Sequence, residues 1–179
     1  MDNRRRRRIE ERIAAEVLLA LLLLLLALLQ SALLPRPYGV TPNLLLVLVV
    51  CQGLLAGPTD AVRWAFYAGI GLDLCSGSLI GSHALALLGA VLLATLPLIR
   101  LSRGNWLAPL LGVTFGACAY HAILALIIYL SVAPVPLDRY LLVSAVPEAA
   151  AALVPALPLY MLLHWQRTRR YGEVAIDVY

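Results

Sequence analysis

The chain has 179 residues, of which 62% are hydrophobic and 13% charged, where an ordinary soluble domain carries about 25% charge. A soluble fold of this size buries only about 70% of the surface its unfolded chain exposes, too little to hide so much apolar side chain. A soluble globular domain is excluded, as is a disordered chain, whose signature is low hydrophobicity. About six membrane helices of roughly 20 residues fit the length.

All 14 basic residues are arginine, and five of them form one block, Arg4–Arg8, directly before an apolar run. A net charge of +4 could suit nucleic acid. A basic block at the foot of a membrane helix instead reads as a cytoplasmic anchor on anionic lipid, so no nucleic-acid partner is expected. Three cysteines, Cys51, Cys75 and Cys118, make neither a disulfide framework nor a zinc spacing and read as small buried hydrophobes.

In chain order, the first apolar run is Val17–Leu29, extending to Leu34 and ending at Pro35-Arg36-Pro37. A signal peptide has an apolar core of only about 7–15 residues and a small-residue cleavage site. This run is longer and lacks that site, so a retained helix is expected. Pro42 opens a second span to about Ala56, since proline in the first turn loses no hydrogen bond. A turn at Gly57-Pro58-Thr59-Asp60 leads to a third, glycine-rich segment, Val62 to about Leu79. Span four is Ser82–Ile99, span five Trp106–Ser131 and span six Tyr140–Leu163, with loop 132–139 before the last. The expectation is an all-α, polytopic six-helix bundle: a basic tail over 1–12, a membrane domain over 13–165 and a second tail over 166–179.

Hydropathy alone would discard the third segment; the arginines retain it. With the N-terminus inside and six spans, Arg4–Arg8, Arg12, Arg63, Arg100, Arg103, Arg167, Arg169 and Arg170 lie inside, and only Arg36 and Arg139 outside. Without it the split falls to eight and six. The positive-inside rule favours the first arrangement, with both termini cytoplasmic. It also puts Trp64, Trp106 and Trp165 at the inner interface and Tyr38 and Tyr140 at the outer one, where amphipathic rings are favoured.

The third segment carries Ala65, Gly69, Asp73, Gly77 and Gly81 at spacings of four. Such a row is one ridge of a helix, and small residues along it let a neighbouring backbone come close, which is how helices associate in lipid. Gly77 and Gly81 can also belong to the turn that follows. The ridge reads as close packing inside the bundle or as a seat for a partner span. A charged aspartate at a span centre costs about 2.5–3.5 kcal/mol on insertion scales, so Asp73 must be protonated, paired or wet. The topology puts Asp73, His121 and Glu148 at similar depths in the outer half, and we expect them to approach one another or to share a polar cavity. Helix-locking hydrogen bonds are the plainer alternative to a proton relay. Pro147, Pro155 and Pro158 bend span six, and Gly112, Gly116 and Tyr120 form a further row on span five.

Motifs of chemistry are missing. Ser76-Gly77 lacks the preceding glycine of a rhomboid-type turn. His83, His121 and His164 are too scattered for a helical metal site. No catalytic, cofactor or metal residue is expected.

Two stretches carry a family resemblance. Thr41-Pro42-Asn43-Leu44 precedes an apolar span. In Gly69–Leu85 a glycine-rich helix ends in Leu72-Asp73, followed by Ser76-Gly77, Gly81 and Ala84-Leu85. These resemble the rod shape-determining protein MreD family, over about residues 15–170. The resemblance implies a non-catalytic subunit of the bacterial cell-elongation complex in the cytoplasmic membrane. Such proteins associate with MreC, and through it with MreB, the RodA glycosyltransferase and a penicillin-binding transpeptidase, in support of lateral peptidoglycan synthesis and cell shape. It also implies a fold similar to the six-helix substrate-binding subunits of energy-coupling-factor vitamin transporters. The chain departs from the pattern at Pro147-Glu148, where an uncharged polar residue is expected. Docking of a partner span is expected on Gly69, Asp73, Gly77 and Gly81, with Pro42 and Asn43 nearby; Asn43 also reads as a simple helix start. Self-association stays open. The rival reading is a substrate-binding subunit of a vitamin-type transporter, which would show a convergent polar pocket.

Overall fold

The structure, a computed structural model, describes residues 2–33, 42–77, 79–98, 107–131 and 140–171. Six α-helices occupy the six apolar segments: α1 Asp2–Leu33, α2 Leu44–Ala56, α3 Pro58–Ser76, α4 Ser82–Leu98, α5 Ala108–Ser131 and α6 Val146–Tyr171, the last entered through a π-helical stretch, Leu141–Ala145. No strand occurs among the described residues. The expectations for Arg36, Tyr38, Arg100, Arg103, Trp106, Arg139 and loop 132–139 fall outside those residues, as does the chain beyond 171.

The segments Ile9–Ala32, Ala108–Ser131 and Leu142–Arg169 are long and apolar enough to cross a membrane, whereas Leu44–Ala56 and Ser82–Leu98 are shorter apolar helices. At 1.5 Å per residue, α2 is only about 20 Å long and α4 about 25 Å, against a hydrocarbon core of about 30 Å. Both are thus shorter than that layer is thick, whereas α1, α5 and α6 exceed it. The helix α1 begins at Asp2, so the basic block continues the first apolar helix as one rod.

The bundle is organised around α2. Its sequence is apolar on every side, the mark of a surrounded helix, and Leu45, Leu46, Val47, Val49, Val50, Cys51, Gly53 and Leu54 are all buried. It packs against α1, α3, α4, α5 and α6. The outer helices follow one another as α1–α3–α4–α5–α6. At one end Glu16 of α1 pairs with Arg63 of α3, which also bonds Asp60 at 3.1 Å. The Arg169 guanidinium lies 3.8 Å above the Trp165 ring near the end of α6.

Glycines set the closest approaches. A Cβ added to Gly69 would stand 2.3 Å from the Ala84 Cα, so α3 and α4 touch backbone to backbone. On α5 the row Gly112 and Gly116 receives Leu54 and Val50 of α2, each 2.9 Å from the missing Cβ. That row is thus the seat of the central helix.

A bulky side chain at Gly69 must push α4 away. We expect Gly69→Leu to destabilise the bundle by about 2 kcal/mol, seen as a lower melting temperature in detergent. An unchanged melting temperature would show that α3 and α4 do not approach so closely.

Candidate functional site

The α3–α4 hairpin is closed by one carboxylate. The first amides of any helix lack partners within it, and in an apolar surround each such group costs several kcal/mol. Asp73, near the end of α3, is 3% exposed and supplies the missing acceptors. Its Oδ1 receives the His83 N–H at 2.8 Å and the Ser82 hydroxyl at 3.3 Å. Its Oδ2 receives the Gly81 N–H at 2.9 Å and the Ala84 N–H at 3.3 Å. Negative charge is also favoured at that end of a helix. The turn depends on Gly77 (φ 63°) and Gly81 (φ 95°), in the left-handed region that side chains with a Cβ resist.

The start of α2 is closed in the same way. Asn43, 3% exposed, accepts the Leu46 N–H through Oδ1 at 3.0 Å. Gln30 of α1 accepts the Leu45 N–H through Oε1 at 3.2 Å. Pro42 precedes this cap, and its carbonyl accepts the Leu44 N–H at 3.0 Å.

Between these two helix starts lies a cavity of about 280 Å³, lined by Gln30, Ser31, Asn43, Ser76, His83, Tyr120 and Glu148, with Leu72 and Cys75. All six helices contribute to it, with Asn43 standing at the head of α2. His83 Nδ1 and the Tyr120 hydroxyl share a 2.5 Å hydrogen bond. The Tyr120 ring meets His121 edge-on. His121 bonds the Tyr140 hydroxyl through Nδ1 at 3.2 Å and points Nε2 at Glu148 Oε2, 3.6 Å away.

The expected trio therefore divides. His121 and Glu148 meet, and Glu148 lines the cavity. Asp73 does not join them: its two oxygens are turned to the α4 start. The glycine ridge also divides. Gly69 is covered by α4, and Gly77 and Gly81 are turn residues with no atom within 4 Å of an added Cβ. Gly69 thus offers no surface to a partner span. Sequence reasoning left out Gln30, His83 and Tyr120. Gln30 had a signal, as the first of two adjacent polar side chains, with Ser31, in the leucine run of α1. Tyr120 ends the spacing-of-four row on α5. His83 had only its place beside Gly81-Ser82. Among the described residues no group of three or more His, Cys, Asp or Glu is placed to hold a metal ion.

The capped hairpin is built from the same residues, Gly69 to Leu85, that carry the MreD resemblance. The family model of the rod shape-determining protein MreD matches residues 11–165. The chain belongs to the MreD family. No curated protein and no solved structure matches it. Membership makes the chain a rod shape-determining membrane protein, which agrees with its long apolar helices. In this MreD-family chain the distinctive acid is the staple of a helical hairpin.

Asp73→Ala removes the acceptor of the Gly81, His83 and Ala84 amides and should destabilise the bundle by about 2–4 kcal/mol, given about 1.5–3 kcal/mol for bonds to a charged group. Asp73→Asn keeps one carbonyl oxygen and should lose about half as much. Equal unfolding midpoints for the two variants and the parent would sink the cap assignment.

Proposed function

We propose that this MreD-family chain is a non-catalytic, six-span subunit of the bacterial cell-elongation complex in the cytoplasmic membrane. It associates with MreC and, through it, with MreB, RodA and a penicillin-binding transpeptidase, and supports lateral peptidoglycan synthesis and cell shape. The observation that carries the reading is the family match over residues 11–165. The structure supports the non-catalytic part of it: the most distinctive side chains, Asp73 and Asn43, are spent on capping helices. Both termini are cytoplasmic, the Asn43 end faces outward, and Arg4–Arg8 lie against anionic lipid. The arginine asymmetry supports that orientation.

A mild-detergent pull-down of the tagged full chain from cells that also express MreC should recover MreC in near-equal amount. An intact chain recovered without MreC overturns the reading. Orientation has its own check. A reporter joined after Tyr179 that is active only in the cytoplasm should be active, and activity of a periplasmic reporter there would reverse the topology.

One observation favours the rival reading, a vitamin-type transporter subunit of similar six-helix fold: the 280 Å³ cavity to which all six helices contribute. Thermal stabilisation of the purified chain by a water-soluble vitamin would support that rival. Vitamins that leave the melting temperature unchanged while MreC co-purifies would remove it.

A further inference from the structure

We propose that the open side of α2, between α1 and α6, seats a single membrane-spanning helix of a partner. That helix carries a donor-bearing side chain opposite Glu148 and a polar side chain opposite Gln52. The proposal rests on the association with MreC and names the surface for it.

Equal cylinders pack six around one, and α2 has five helical neighbours. The ring α1–α3–α4–α5–α6 does not close, because α6 and α1 share no packed interface among the described residues. The side chains of α2 locate the opening. Cys51 donates from Sγ to the Ala156 carbonyl of α6 at 3.8 Å. Val50 and Leu54 fill the glycine row of α5, and Gly53 meets Thr95 of α4 and Ala61 of α3. Contact with α1 includes the head of the helix, at the Gln30 cap. The half-buried residues Leu44, Leu48, Gln52 and Leu55 share one face, within about 80° of arc at about 100° per residue. That face lies on the α1 side of Cys51, so it looks toward the side of α2 between α6 and α1.

Two polar groups mark the ends of this groove. At one end Glu148 lines the cavity with Gln30 and Ser31 of α1, and the one basic group beside it among the described residues is His121, 3.6 Å away. At the other, the Gln52 amide has no hydrogen-bond partner among the described residues. Along α2, Asn43 and Gln52 are about 13 Å apart, or two and a half turns of a facing helix. A lipid acyl chain would satisfy neither group, whereas helices in membranes associate by hydrogen bonds of this kind.

The test places a photo-crosslinking residue at Leu48 of the full chain, in cells expressing tagged MreC, with the same residue at Phe115 and Leu93 as controls. Both controls are exposed on other helices. Irradiation should give an MreC adduct from Leu48 and little from the controls. In parallel, Gln52→Leu should lower MreC recovery about three- to tenfold at an unchanged melting temperature. An adduct with a second copy of this chain overturns the proposal in favour of self-association. MreC recovered normally with no protein adduct at Leu48 also overturns it and leaves the groove to lipid. In that case the functional reading stands, whereas a wild-type chain that never recovers MreC defeats both.

Discussion

Everything near the distinctive end of this bundle depends on the Asp73 carboxylate. A helix that starts inside an apolar layer exposes unpaired amides where no water can reach them. Asp73 meets three of these amides and a hydroxyl at once, so α4 can begin at Ser82 with its first amides satisfied. Because α4 begins there, Gly69 can lie on Ala84, and His83 reaches Tyr120 of α5. One ionisable side chain thus sets the depth and register of its hairpin.

The same solution recurs at α2, with neutral acceptors. Asn43 and Gln30 take the amides of its first turn. Between the two capped helix starts lies the space lined by residues of all six helices. Its polar lining comes from the caps and their neighbours together with the His121–Glu148 pair. This chain thus combines an apolar body with one polar end.

Much of this was legible in the residues. The apolar runs and their punctuation at Pro42, Gly57-Pro58 and Gly81 gave six helices close to the observed boundaries. The spacing-of-four row at Gly69 spoke of a close helix approach. The residues around Asp73 spoke of a family. The single ridge was less legible than it looked: Gly69 packs, while Gly77 and Gly81 turn the chain. A spacing of four is the same in letters whether or not the helix continues, and Gly77 ends it by taking a positive φ.

Sequence by itself determined the solvent, the helices and the family. Each depends on composition, on near-neighbour periodicity or on a local motif, and none needs a distant contact. Only the tertiary structure decided which polar side chains meet. Asp73 turns to α4 and leaves His121 to Glu148, although all three were expected at similar depth. Depth along a helix follows from counting residues, but the direction in which a side chain points around it depends on which neighbour lies there. By the same dependence the α2 sequence shows that one side carries its lone polar residue, Gln52, but only the packing places that side between α1 and α6.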